Sequence, residues 1–275
     1  MIPSPSSIVP TLTWRDEFAE RDRAVAEETP VALTYNRLTH AVMMATPSDL
    51  EDFAVGFSRS EGIVSEAHEI EELELVPAES GVECRMWIAA ERLDRLDQRR
   101  RSLAGPTGCG LCGLESLAEA IRAPPPVKGG IDASAEQIQA AMASMPDLQT
   151  LNLETRAVHA AAFWQPGAGL LALREDVGRH NALDKLSGAL SRRGIAGSSG
   201  IVLMTSRVSV ELVQKAAVIG ASILVAVSAP TRLALRLADT AGITLIGIAR
   251  RDGFEVFTHP GRIAGAKSIV DAINL

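Results

Sequence analysis

The residues best suited to chemistry are Cys109 and Cys112, in Gly108-Cys109-Gly110-Leu111-Cys112-Gly113. Two thiols three positions apart can share a metal, exchange a disulfide, or hold and resolve a persulfide. A short helix is predicted over residues 114–121. Its positive end would lower the thiol pKa, and the glycines leave the backbone open to a partner. A structural zinc site normally takes four ligands. The only other cysteine is Cys84, and no histidine lies nearby in sequence, so no metal is expected. An inert pair in a tight turn is one alternative. A thioredoxin-type redox pair is another, weakened by the absence of a predicted strand just before it.

Two further segments are dense in ionisable groups. The first is Arg174-Glu175-Asp176-Val177-Gly178-Arg179-His180-Asn181-Ala182-Leu183-Asp184-Lys185. His180 could act as an acid or base there, oriented by Asp176. The competing reading is a buried ion-pair network that fixes the loop. His159 sits in an apolar run, where a structural role is the more common one. The second segment is Ile248, Ala249, Arg250, Arg251, Asp252 and Gly253. Two arginines and a glycine after a strand suit phosphate contacts; a charged hairpin turn would have the same composition.

These segments need elements to position them. Short strands are expected at 31–35, 40–45, 70–76 and 82–88, with a helix from Leu50 to Gly62 by apolar spacing. After Pro124-Pro125-Pro126 and Gly129-Gly130 the texture changes. Strands at 158–163 and 170–173 flank a Pro166-Gly167 turn. Apolar runs at 201–204, 223–227 and 243–248 then alternate with helices near 182–190, 210–219 and 233–241. That alternation predicts an α/β unit with a mostly parallel sheet. Ligands of such sheets sit beyond the carboxyl ends of the strands, which here means residues 205–207, 228–230 and 249–253. The expected organisation is a polar leader over 1–28, an N-terminal α+β region with the C-x-x-C loop over 29–127, and an α/β domain over 128–275.

The chain has 275 residues, 47% hydrophobic and 22% charged, a globular composition. A net charge of -7 and 4% aromatic residues argue against a nucleic-acid partner. Three cysteines cannot make a disulfide framework in a chain this long, which points to a reducing, cytoplasmic setting. The Ser/Pro-rich start does not read as a signal peptide, and no apolar run is long enough to enter a membrane.

The motifs, taken in order, resemble those of the formate dehydrogenase accessory proteins, the FdhD-type sulfur carriers. They include Gly56-Phe57-Ser58-Arg59-Ser60-Glu61-Gly62, Thr107-Gly108-Cys109-Gly110-Leu111-Cys112-Gly113, Glu175-Asp176-Val177-Gly178-Arg179-His180, Val213-Gln214-Lys215, Val227-Ser228-Ala229-Pro230-Thr231 and Thr258-His259-Pro260. The resemblance runs from about Pro30 to Arg262. It implies a sulfurtransferase that takes sulfur from a cysteine desulfurase and passes it to the molybdenum cofactor, Mo-bis(molybdopterin guanine dinucleotide), for formate dehydrogenase. It further implies that Cys109 carries the persulfide with Cys112 as helper, that Ile248 to Gly253 bind the cofactor, and that the larger domain has a cytidine deaminase-like fold. The deaminase zinc signature, H-x-E with P-C-x-x-C, is absent, so deamination is not implied. A homodimer is open to such a chain. Two other classes compete: a cofactor-binding chaperone with non-catalytic cysteines, and a thiol–disulfide oxidoreductase.

Overall fold

The computed structural model describes residues 1–92 and 123–266. Cys109, Cys112 and the helix expected at 114–121 lie outside the described residues.

The first element departs from expectation. Where a polar leader is expected over 1–28, strands β1 (Ser6–Arg15) and β2 (Glu17–Ala26) pair as an antiparallel hairpin turning on Asp16, φ 64°. Its sequence, SSIVPTLTWR then EFAERDRAVA, carries strand-favouring Val, Ile, Thr, Trp and Phe. Ile8, Leu12, Trp14 and Phe18 share one face and are exposed, with Trp14 opposite Phe18. Apolar residues that remain in solvent give no burial signal, which is why the segment reads as a leader.

Strands β3 (Thr29–Tyr35), β4 (Leu38–Ala45), β5 (Ile70–Ala78) and β6 (Gly81–Ile88) form a sheet in the order β4-β3-β6-β5. Asn36 and Arg37 both take positive φ in the β3–β4 turn, as a two-residue hairpin requires. Helix α1 (Leu50–Ser60) covers this sheet, and Val31, Leu33, Tyr35, Phe53, Phe57, Cys84 and Met86 fill the space between.

The second sheet holds β7 (His159–Gln165), β8 (Gly169–Asp176), β9 (Ile201–Met204), β10 (Ile223–Ala226), β11 (Thr244–Arg250) and β12 (Gly253–Val256), in the order β12-β11-β10-β9-β7-β8. Its helices are α2 (Ala135–Ala143), α3 (Thr150–Thr155), α4 (Arg179–Arg192), α5 (Val210–Ile219) and α6 (Arg232–Ala241). Every residue of β9 and β10 is buried, because one core packs against α4, α5 and α6 and a second fills the opposite face beside α2. The α/β class stands. The expectation of a mostly parallel sheet is narrowed: only β9–β10 and β10–β11 are parallel, while β7–β8, β7–β9 and β11–β12 are antiparallel. Tight turns at 166–168 and 251–252 leave no room for a crossover, so β8 must fold back on β7 and β12 on β11.

The two sheet units meet where α1 crosses α4. A Cβ on Gly56 would lie 1.7 Å from the Asp184 carbonyl oxygen, and one on Gly188 would lie 1.9 Å from that of Asp52. Only glycine permits this backbone approach. Charge closes both ends of the crossing. Asp52 accepts from Arg174 at 2.6 and 2.8 Å and from Arg192 at 2.6 Å, while Glu51 also pairs with Arg192. At the other end, Lys215 Nζ reaches both Asp184 oxygens at 2.8 Å, and Ser60 Oγ donates to Asp184 Oδ1 at 2.6 Å. Among the described residues no helix is long and apolar enough to cross a membrane.

Candidate functional site

The carboxyl ends of β9, β10 and β11 lie side by side, and backbone hydrogen bonds join the loops that leave them. Val227 N donates to Met204 O at 3.0 Å, Thr231 N to Val208 O at 3.0 Å, and Ile248 N to Ser228 O at 3.3 Å. Val208 and Pro230 form a parallel bridge. Residues 205–207, 228–230 and the 248–253 segment therefore share one edge, as the strand pattern predicts.

The third of these segments has a different shape from the expected loop over 249–253. The strand continues to Arg250, and only Arg251 and Asp252 form the turn into β12. Ala249 is buried in the core. A bulge lies between Gly247 and Arg250, and Ile248 sits within it at φ 52°. A β-branched side chain at positive φ is strained. The neighbouring loop crowds the same point, for a Cβ on Gly247 would be 2.9 Å from Pro230 Cδ and from Phe257 Cε2. Beyond it, Arg250, Arg251 and Asp252 are exposed. Gly253 has φ 153° with open space where a side chain would stand.

The ionisable motif at 174–185 does not gather into one network. Its first part turns inward. Asp176 pairs with Lys185 at 2.7 Å, both side chains 0% exposed. The remaining lone pairs of Asp176 accept from Thr46 N at 3.0 Å, Gly178 N at 2.8 Å and Asn181 Nδ2 at 3.0 Å. Glu175 accepts from Leu151 N at 2.9 Å and Asn152 N at 2.8 Å, holding the start of α3. For these residues the buried-network reading holds, and Asp176 does not orient His180.

The second part faces the edge. His180 Nε2 lies 2.7 Å from Glu211 Oε2, with the two side chains 21% and 18% exposed, and 3.4 Å from Ser209 Oγ. A carboxylate only accepts, so Nε2 carries the proton. Burial opposes the charge on Glu211. The hydrogen bond from His180 and the nearby charges of His180, Lys215 and Arg179 outweigh it and hold the carboxyl below its ordinary range. His159 opens β7, and the adjacent Ala160 N donates to Thr205 Oγ1 at 2.9 Å. Burial first, then Arg179 and His180, push the His159 pKa down. Glu211 and Ser209 escape the sequence reading because they lie about thirty positions from His180 and belong to no recognisable motif. Among the described residues, the Arg179 side chain has no hydrogen-bond or ion-pair partner.

Cys84 sits in the N-terminal core, and burial pushes its thiol up to about 12. Its sulfur is therefore held as an unreactive thiol. Among the described residues no group of three or more His, Cys, Asp or Glu side chains gathers to hold a metal.

Comparison with known proteins adds three findings. The model of the FdhD/NarQ family matches residues 26–264. Sulfur carrier protein FdhD of Agrobacterium fabrum is 53% identical over 248 residues, covering 89% of this chain and 91% of that protein. Its namesake from Cupriavidus necator is 50% identical over 267 residues, covering 97% and 93%. A crystal structure from Desulfotalea psychrophila, of a protein proposed as a formate dehydrogenase accessory protein, superposes with a TM-score of 0.75 at 27% identity. That match covers 94% of this chain and 99% of the other.

Proposed function

Since this chain belongs to the FdhD/NarQ family, we propose that it is a sulfur carrier that loads the molybdenum cofactor for formate dehydrogenase. The observation that carries the reading is half-identity, along nearly the whole chain, to proteins named sulfur carrier. In this reading a cysteine desulfurase gives up sulfur to Cys109, with Cys112 assisting. The terminal sulfur of that persulfide then passes to bis(molybdopterin guanine dinucleotide), the substrate rather than a resident group, as the S–S bond breaks and Cys109 returns as a thiol. The step needs an accessible thiolate to attack a sulfane sulfur. The burial of Cys84 makes it ill suited to that role, which supports reading Cys109 and Cys112 as the reacting pair.

The substrate carries guanine nucleotides and pyrophosphates. The exposed guanidinium groups of Arg250 and Arg251, and the open backbone at Gly253, suit those groups. The cytoplasm, where thiols stay reduced, is the compartment that suits a persulfide carrier with three cysteines. Two copies pairing through the exposed face of the β1–β2 hairpin would give a homodimer.

Intact mass after incubation with a desulfurase and cysteine tests the reading. The chain should gain about 32 Da, one sulfur atom added by exchange. The Cys109→Ala variant should gain none at that site and should fail to activate formate dehydrogenase. Full activation by the variant would instead make the protein a cofactor-binding chaperone with non-catalytic cysteines.

A further inference from the structure

One acid stands among the arginines of the carboxyl edge. Backbone bonds join the three loops there, and their exposed charged residues are Arg207, Arg232, Arg250, Arg251 and Asp252. Within 205–209, 227–232 and 250–253, Asp252 is the only acidic residue. It lies in the turn between β11 and β12, which the Arg250–Gly253 pair closes. Among the described residues its carboxylate has no hydrogen-bond or ion-pair partner, although Arg251 precedes it in the chain. A carboxylate repels phosphates, so a site for phosphates alone gains nothing from it.

We infer that Asp252 reads the base of the nucleotide and makes this edge selective for guanine over adenine. The inference rests on the proposal above that a guanine-nucleotide cofactor is loaded here. A nucleotide has two unlike ends. Its phosphates are anionic acceptors, which guanidinium groups meet. Guanine presents two donors side by side, N1–H and the 2-amino group. An ionised carboxylate only accepts, and it has two oxygens, so Asp252 can take both donors. Adenine turns the lone pair of its N1 to the same place, where two acceptors repel.

The turn supplies the spacing. Asp252 is two residues beyond Arg250, at most about 7 Å along an extended chain, so one nucleotide can meet both. Gly253 leaves room beside the turn, with nothing within 4 Å of where its side chain would stand. The neighbouring acids are placed otherwise. Glu211 is held by His180 at 2.7 Å, and Glu255 lies along β12 opposite Gly247.

Calorimetry of the full chain with GDP, IDP, XDP and ADP tests the assignment. The wild type should bind GDP roughly tenfold or more tightly than ADP, since a site built to bond a donor rejects an analogue that lacks it. IDP, which keeps N1–H and loses the 2-amino group, should fall between them. Asp252→Asn keeps a residue that serves turns equally well. Its amide offers one acceptor and one donor, which matches the N1–H and 2-oxo group of xanthine. The variant should therefore lose affinity for GDP and gain it for XDP. Arg250→Ala with Arg251→Ala should instead weaken all four nucleotides alike. Equal wild-type affinity for GDP and ADP would overturn the assignment, and so would an Asp252→Asn variant that keeps the preference for GDP over XDP. A wild type that binds none of the four would strike the cofactor-loading edge itself.

Discussion

The crossing of α1 over α4 and the carboxyl edge of the larger sheet are both rich in charge, and they use it in opposite ways. At the crossing and just behind it, every acid has a basic or amide partner: Asp52 with Arg174 and Arg192, Asp184 with Lys215, Asp176 with Lys185. Two glycines bring the helix backbones into direct contact. At the edge, Arg179 has no such partner among the described residues, Arg250 and Arg251 face solvent, and Ile248 holds a strained backbone. Unmet charge and strain persist only where the surrounding structure is firm enough to hold them. The closed region supplies that firmness, and the open one is where a ligand can be met.

The largest effect should come from breaking the closed region. Lys185→Met would leave Asp176 fully buried with its cationic partner removed. Removing one member of a buried pair costs about 3–5 kcal/mol, and urea unfolding should show a loss of that order. A loss under about 1 kcal/mol would mean that the Thr46, Gly178 and Asn181 donors alone satisfy Asp176. The division between the two regions would then be less sharp.

A smaller effect, read in binding rather than stability, is expected at the edge. Arg250→Ala with Arg251→Ala should weaken binding of GDP, used as a partial mimic of the cofactor, by at least tenfold. That factor corresponds to about 1.4 kcal/mol, less than a single charge-assisted hydrogen bond can contribute. The unfolding midpoint should hardly move, since both side chains are exposed. Unchanged affinity by calorimetry, with the fold intact, would remove this segment from the site.

The closed and open regions were not equally legible in the sequence. Apolar runs such as Ile201–Met204 and Ile223–Ala226 announced the central strands, because burial on both faces leaves no polar positions. The polar ends of those strands announced the edge. Pairings across long separations were hidden: His180 with Glu211 and Asp52 with Arg174 depend on which helix faces cross, and no local pattern encodes that. The bend at Ile248 was hidden for another reason. Isoleucine is among the residues least suited to positive φ, so tertiary packing against Ser228 and Pro230, rather than local preference, sets it there. Cys109 and Cys112 stand out by their spacing and the family motifs alone, and they lie outside the described residues.

The smallest expected effect falls on the border between the regions, at His159. Its pKa is pushed down in the folded chain, first by burial and then by Arg179 and His180. The unfolded chain therefore binds a proton at its ordinary pKa, near 6.5, before the folded chain does. Stability then rises with pH across this window. The contribution is fully present above the unfolded value and is lost as the pH falls through the lowered folded value. His159→Gln removes the titration while keeping a polar side chain of similar reach. Relative to wild type, the variant should gain stability on acidification from pH 8 to pH 5, with thermal midpoints measured at each pH. Parallel pH curves for the two proteins would show that His159 is solvated well enough to charge freely, which would place it on the open side of the border.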